Sequence, residues 1–209
     1  MARDTADPSI GSTPWIAVAL GRDLPPGTAL PVVLDGTELV LWRSESGRIA
    51  LWTDRCPHRG MRLSFGFVRG ETLACLYHGW RYGTDGRCGS IPAHPDQTPA
   101  SAIHATAHPV VEVDGFVFVG RDGEATPPAA STTAWTGVAS VTIDRPAAAV
   151  AAALATPLPG RRIEIQPVGA ARTRLHVAVD DPTTAEAARV DVELLRERLE
   201  SPLFDEEIA

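Results

Sequence analysis

The chain has 209 residues, of which 44% are hydrophobic and 22% charged, a composition typical of a folded globular protein rather than a disordered one. Its formal net charge of −7 argues against nucleic acid as a partner, because binding to phosphates needs a basic surface. No apolar run approaches the roughly 18 to 20 residues of a membrane helix, and the N-terminal MARDTADPSIGS lacks a signal-peptide core, so we expect a cytoplasmic protein with no membrane partner.

Short apolar runs separated by Gly, Pro and Asp turn signals fill residues 15 to 120. Two of these turns are Asp-Gly pairs, Asp35-Gly36 and Asp114-Gly115. Each pair predicts a β-hairpin, because glycine accepts the positive φ that a tight turn needs. This part of the chain is therefore predicted to be mainly β and built from small stacked sheets.

The composition changes after residue 120, where a Pro-, Ala-, Ser- and Thr-rich stretch is typical of a linker. Beyond it, VASVTI, RIEIQPVG and ARTRLHVAVD are predicted strands, and PAAAVAAALAT is a predicted short helix. A longer helix is predicted from Thr183, with a capping box formed by Thr183 and Glu186 and an apolar stripe through Val192, Leu195 and Leu199. The C-terminal region is therefore predicted to be a small α+β domain.

Two loop-like segments carry a matched set of candidate metal ligands. Cys56 and His58 are followed, after sixteen intervening residues, by Cys75 and His78. A zinc ion accepts two thiolates and two imidazoles, so the residue types alone do not decide the metal. Zinc fingers usually pair Cys with Cys and His with His, whereas a thiolate and an imidazole in each loop suit two irons bridged by sulfides. Four unrelated core residues are the remaining alternative.

The stretches CPHRG (56–60) and CLYHGW (75–80) resemble the Rieske [2Fe–2S] domain. The resemblance is specifically to the N-terminal domain of the Rieske non-haem iron oxygenases, the ring-hydroxylating and demethylating type. It extends from about residue 15 to 120 and includes LPPG, GW.Y...G and the closing HPVVEVDGFVFV. It implies stacked antiparallel sheets with a [2Fe–2S] cluster held at the tip by two loops, whose ligands would be Cys56, His58, Cys75 and His78.

The resemblance also divides the chain. We expect a Rieske domain over 13–122, a linker over 123–136 and the small α+β domain over 137–209. The order of elements in the last region is similar to the outline of the oxygenases' helix-grip catalytic domain, truncated so that its iron-bearing middle is missing.

This sequence departs from the Rieske proteins of respiratory complexes, which carry an extra cysteine in each loop and a serine that hydrogen-bonds the cluster. Met61 and Leu76 stand near the disulfide positions, and Trp80 follows Gly79 in place of that serine. Fewer hydrogen bonds stabilise the reduced cluster less, so we expect a reduction potential toward the bottom of the roughly −150 to +300 mV range of such centres. Cys88 has no partner in the motif and is expected to be a free, partly buried thiol, with a redox switch as the alternative.

The segment around the two loops is basic although the chain is acidic. Residues 55–87 hold six arginines against two acids, a local net charge of +4, whereas the rest of the chain holds 13 arginines and 24 acids, or −11. We call residues 55–87 the basic tip. A basic surface of this kind can steer an acidic redox partner toward the loops, unless some of the arginines simply pair with nearby acids. The six arginines are Arg55, Arg59, Arg62, Arg69, Arg81 and Arg87.

Full-length oxygenases of this family hold a mononuclear iron on two histidines and a carboxylate in a helical motif. After residue 120 the chain has one histidine, His176, which is not enough for that set. His104 and His108 are expected on the last strands of the Rieske domain, and His94 in a loop. We therefore expect no catalytic residues in this chain.

Three functions are consistent with this pattern. The first is an electron-transfer component that passes single electrons from a reductase or ferredoxin to a mononuclear iron oxygenase subunit. The second is a self-sufficient oxygenase with an unrecognised iron site, and the third is a redox-sensing regulatory subunit. The family resemblance also implies a homo- or hetero-oligomer.

Overall fold

Residues 14–121 and 126–201 are described by a computed structural model, and they form fourteen strands and two α-helices. The strands are β1 (Trp15–Leu20), β2 (Ala29–Leu34), β3 (Thr37–Arg43), β4 (Ile49–Thr53), β5 (Phe67–Arg69), β6 (Thr72–Ala74), β7 (Arg81–Gly83), β8 (Cys88–Ser90), β9 (Ala107–His108), β10 (Val110–Val113), β11 (Phe116–Gly120), β12 (Thr136–Ile143), β13 (Arg161–Gly169) and β14 (Arg172–Val179). The helices are α1 (Ala147–Ala153) and α2 (Ala185–Glu200), and short 3₁₀ turns occupy Gly21–Asp23, Leu63–Phe65 and Pro182–Thr184.

The described residues divide into two compact units, Gly21–Val111 and a second made of residues 14–20, 112–121 and 126–201. The boundaries 13–122, 123–136 and 137–209 that the sequence suggests stay a prediction. The predicted mainly β architecture is confirmed, since strands outnumber helices and pair in antiparallel sheets. No helix in the described part of the chain is both long enough and apolar enough to span a membrane.

The unit Gly21–Val111 consists of two four-stranded sheets, ordered β2-β3-β4-β9 and β5-β6-β7-β8. The first predicted hairpin is confirmed: Asp35 and Gly36 have φ of 47° and 76° and join β2 to β3. Along the strands of the second sheet, successive side chains point to opposite faces, of which one is buried and the other exposed. Its buried face consists of cross-strand partners that join the unit's core: Val68, Leu73, Tyr82 and Cys88.

The other unit contains the sheet β12-β14-β13, both helices, and most of the sheet β1-β11-β10, whose strand β10 begins before the boundary at Val111. Asp114 and Gly115, with φ of 54° and 76°, turn the chain between β10 and β11 as predicted. The helices cover the β12-β14-β13 sheet through an apolar core. Val192 and Leu199 of α2 are buried in that core and Leu195 packs against it, so the predicted stripe is confirmed.

The predicted capping box of α2 is wrong. Thr183 lies in the 3₁₀ turn Pro182–Thr184, and α2 begins at Ala185 with no side-chain cap from Thr184. The Asp181 carboxylate instead accepts from the Thr183 amide at 2.9 Å and from its hydroxyl at 2.8 Å. Asp181 starts the turn because it is a strong N-cap residue and Pro182 has the fixed φ suited to a first helical position.

Candidate metal centre

The two loops that carry the candidate ligands repeat one hydrogen-bond pattern. In the first loop the Gly60 amide donates to the Cys56 carbonyl at 2.8 Å, and the Cys56 amide donates to the Met61 carbonyl at 2.8 Å. In the second loop Gly79 donates to the Cys75 carbonyl, and the Cys75 amide donates to the carbonyl of the residue after Gly79, both at 2.9 Å. Four residues after each cysteine a glycine with positive φ, 71° in Gly60 and 69° in Gly79, turns the chain back.

The loops bring the two imidazoles together. The ring centroids of His58 and His78 are 4.8 Å apart. His78 is exposed and stacks on Tyr77, with 3.8 Å between the centroids, whereas the half-buried His58 lies parallel to the Trp80 indole at 4.0 Å. Desolvation lowers the pKa of His58, and repulsion from His78 and Arg59 lowers it further. The lowered pKa favours the neutral imidazole, which is the form that binds metals.

Both thiols lie in the core below the imidazoles. Cys56 and Cys75 are 4% and 2% exposed, and the Cys56 sulfur lies 3.1 Å from the Tyr82 hydroxyl. Burial, and then the contact with Cys56, raises the pKa of Tyr82, so the hydroxyl keeps its proton and can donate a hydrogen bond to a thiolate at Cys56. Burial also raises the pKa of Cys75, so a thiolate at this position needs a compensating positive charge such as a metal ion.

A buried carboxylate holds the first loop in place. Asp54, the residue directly after β4, is 1% exposed. Its carboxylate accepts hydrogen bonds from the Ser64 amide at 2.7 Å and from the Ser64 hydroxyl at 2.6 Å. This contact joins the two ends of the loop that contains Cys56 and His58. Neither Asp54 nor Tyr82 is identified by the ligand motif in the sequence, although Tyr82 belongs to the GW.Y stretch of the family pattern.

The described residues contain no group of three or more His, Cys, Asp or Glu side chains placed to hold a metal ion. A Rieske cluster does not need such a group, because each of its two irons takes only two protein ligands. His176, on β14, is 1% exposed and both of its ring nitrogens are engaged: Nδ1 with the Ser140 hydroxyl at 2.9 Å and Nε2 with the Gln166 amide oxygen at 2.8 Å. His176 is therefore a hydrogen-bonded core residue.

Of the remaining histidines, His94 lies in a loop and His108 on a strand as the sequence suggested, whereas His104 lies outside the strands. His94 is exposed in the segment after β8, His104 forms an isolated bridge with Arg87, and His108 lies on β9. The Nε2 atom of His108 lies 3.0 Å from the Thr53 hydroxyl. Cys88 is a buried free thiol on β8, and its burial raises its pKa.

The arginines of the basic tip fall into two groups. Arg55 and Arg62 both pair with Glu38, and Arg87 pairs with Asp85 at 3.7 Å. Within residues 14–121 and 126–201 the other three make no ion pair, and all are exposed. These three are Arg59, Arg69 and Arg81. Pairing with nearby acids thus accounts for half of the tip arginines.

The family model of the Rieske [2Fe-2S] domain matches residues 14–112. This segment is a Rieske domain. Such a domain binds a [2Fe–2S] cluster, and the buried sulfurs, the paired imidazoles and the hydrogen-bonded loops found here fit that cofactor.

Sequence relatives of this Rieske domain are oxidoreductases and oxygenase components. It is 42% identical over 106 residues to the oxidoreductase NdmD of Pseudomonas putida, a match that covers 50% of this chain and 18% of NdmD. It is 35% identical over 119 residues to the oxygenase component of a 3-ketosteroid-9-alpha-monooxygenase of Rhodococcus rhodochrous, covering 57% of this chain and 30% of that protein. The chain thus matches less than a third of the length of either relative.

A solved structure shares the fold of this chain. An NdmA mutant of Pseudomonas putida CBB5, solved with theobromine, superposes with a TM-score of 0.70 over 91% of this chain and 80% of that one. The sequences are 17% identical, so the likeness is one of fold. Residues 14–112 are therefore a Rieske domain whose sequence relatives include an oxygenase component.

Proposed function

We propose that this chain is the Rieske electron-transfer component of an oxygenase system, accepting single electrons from a reductase or ferredoxin and delivering them to a mononuclear iron on another subunit. The observation that carries the proposal is the pair of imidazoles, 4.8 Å apart, of which His78 is exposed beside two buried sulfurs. When bound, a [2Fe–2S] cluster supplies one-electron redox chemistry.

Four side chains would hold the cluster. We assign Cys56 and Cys75 to one iron and His58 and His78 to the other, the division expected of a Rieske centre. The protein's contribution is to exclude water from the sulfurs, which are buried, while leaving an imidazole at the surface. With Cys56 bound as a thiolate, the Tyr82 hydroxyl would donate the hydrogen bond between them.

The hydrogen bonding of His176 supports the delivery of electrons to an iron outside these 209 residues. It is the one histidine of the sequence after residue 120, and its ring nitrogens already bond Ser140 and Gln166. A ligand to a mononuclear iron needs a free ring nitrogen facing a second histidine and a carboxylate. The oxidation is therefore assigned to another subunit, with which this chain would form an oligomer.

The test is the metal content and redox behaviour of the purified full chain. We expect two irons and two acid-labile sulfides per chain, reduction by one electron, and no aerobic product formation by this chain alone. Replacing Cys75 or His78 by Ser should abolish the cluster's visible absorption, whereas the control Cys88→Ser should keep it. A third tightly bound iron together with turnover by the isolated chain would favour a self-sufficient oxygenase and contradict the proposal.

A further inference from the structure

Four large apolar side chains are exposed around the ligand loops. Phe65, Phe67, Leu76 and Tyr77 are 55%, 41%, 54% and 57% exposed, and we call these four residues the tip patch. The other exposed large apolar residues of the described chain lie after residue 157, in the other unit. Clusters of large apolar side chains on a protein surface usually mark a place where another molecule binds.

The tip patch lies directly against the strand that leads into the second ligand loop. Phe67 is the cross-strand partner of Ala74, the residue before Cys75. Between the two phenylalanines the backbone approaches Ala74 so closely that a Cβ on Gly66 would clash with the Ala74 carbonyl oxygen. Leu76 and Tyr77 belong to the second loop itself. The patch and the proposed exit of electrons at His78 are therefore neighbours.

Positive charge accompanies the apolar patch. Phe67, Ala74 and Arg81 are successive cross-strand partners on β5, β6 and β7, so their side chains share one face of the sheet. The Arg69 guanidinium lies 4.5 Å from the centroid of the Phe67 ring. Arg69 and Arg81, like Arg59 beside His58, are exposed and form no ion pair with another described residue.

We propose that the tip patch, with Arg59, Arg69 and Arg81, is the docking surface for an acidic electron-transfer protein whose apolar contact residues are surrounded by carboxylates. This inference rests on the proposed function, because an electron-transfer role requires a protein to dock beside the ligand loops. Aromatic residues and arginine are the types enriched in interface centres. Opposite charges around an apolar centre raise the association rate and orient the two proteins.

The experiment uses the cluster-loaded full chain and, as the probe, a plant-type [2Fe–2S] ferredoxin with an acidic surface. Phe65→Ser and Phe67→Ser are made singly and together, and Leu194→Ser, 57% exposed on α2, is the matched control. Binding of oxidised ferredoxin is measured by surface plasmon resonance, and reduction by reduced ferredoxin by stopped flow. We expect the double variant to bind at least tenfold more weakly and to be reduced correspondingly more slowly, with the control unchanged.

Charge is tested separately. Arg69→Gln should weaken ferredoxin binding several-fold at low salt and reduce its dependence on ionic strength, whereas Arg189→Gln, an exposed arginine on α2, should change neither. Reduction by dithionite, which needs no docking surface, should proceed at the wild-type rate in every variant. That measurement also shows that each variant retains its cluster.

The outcomes separate the two proposals. A wild-type chain that dithionite reduces but ferredoxin does not bind, or patch variants that bind as the wild type does, would overturn the docking surface and leave the proposed function intact. A chain with no reducible cluster would overturn the proposed function itself. If the patch variants convert an oligomer of this chain into monomers in sedimentation experiments and leave ferredoxin binding unchanged, the patch is a contact between copies and the docking proposal is wrong.

Discussion

The Tyr82 hydroxyl lies 3.1 Å from the Cys56 sulfur, so a strand residue contacts a proposed ligand 26 positions earlier in the chain. A hydrogen bond to a ligand sulfur stabilises the extra negative charge of a reduced cluster and raises its potential. Tyr82→Phe removes only the hydroxyl and should lower the midpoint potential by an amount equivalent to about 1 kcal/mol, or roughly 40 mV.

Protein-film voltammetry measures this shift. Tyr77→Phe is the control, because Tyr77 is exposed and stacks on His78 through its ring, which phenylalanine preserves. An unchanged potential in Tyr82→Phe, or an equal shift in both variants, would contradict the role assigned to the Tyr82 hydroxyl.

The absolute potential is a second prediction. Trp80 stands where the respiratory proteins have a hydrogen-bonding serine, and it stacks on His58 through an apolar ring face. The side-chain hydrogen bond identified at a proposed ligand sulfur is the one between Tyr82 and Cys56. Because few hydrogen bonds would stabilise the reduced cluster, we expect a midpoint potential in the lower part of the Rieske range. A redox titration that gives a value above roughly +100 mV would show that hydrogen bonding to the cluster is stronger than we infer.

The two loop glycines provide a matched pair of stability variants. Gly60 and Gly79 have nearly the same positive φ, but a Cβ at Gly60 meets open space whereas one at Gly79 would lie 3.2 Å from Pro92 Cγ. Gly60→Ala should therefore cost about 1 kcal/mol from backbone strain alone, and Gly79→Ala should cost more. Free energies of unfolding from urea titrations test this order, and an equal or larger loss in Gly60→Ala would contradict it.

Asp54 is expected to stabilise both the fold and the first ligand loop. Asp54→Ala leaves the amide and hydroxyl of the half-buried Ser64 without their acceptor, and a group that stays buried and unsatisfied costs about 1–3 kcal/mol. The variant should unfold at lower urea concentration and lose its visible absorption faster under chelator. Asp85→Ala, which removes an exposed carboxylate, is the control and should behave as the wild type.

Buried His176 predicts a stability that falls in mild acid. Burial, with a smaller effect of Arg174, lowers the pKa of His176 to about 3 from an ordinary value of 6.5. Between these values the unfolded chain binds a proton that the folded one does not, so acid favours unfolding. The free energy of unfolding should drop by about 1 kcal/mol for this group between roughly pH 7.5 and pH 5.5.

Urea titrations at the two pH values measure the drop. His176→Gln should be less stable than the wild type at the higher pH yet lose about 1 kcal/mol less on acidification, whereas the exposed-residue control His94→Gln should keep the wild-type dependence. A wild-type pH dependence that persists in His176→Gln would mean that other groups are responsible.

Much of the secondary structure could be predicted because its causes are local. The Asp-Gly turns need positive φ at both positions, and both positions have it in each hairpin. The stripe Val192, Leu195 and Leu199 faces the core because of helical periodicity. The start of α2 could not be placed in this way, because Thr183 and Asp181 are both capping residues and only the backbone path into Pro182 decides between them.

The candidate site divides in the same way. The amino-acid sequence by itself determined that a Rieske domain is present, because two short segments have a spacing specific to one family, and it predicted Cys56, His58, Cys75 and His78 as the donor set. Only the tertiary structure decided that Tyr82 reaches a sulfur, that both ring nitrogens of His176 are hydrogen-bonded, and which tip arginines form no ion pair with another described residue. These features depend on strand register and burial, which arise from contacts between residues far apart in the chain.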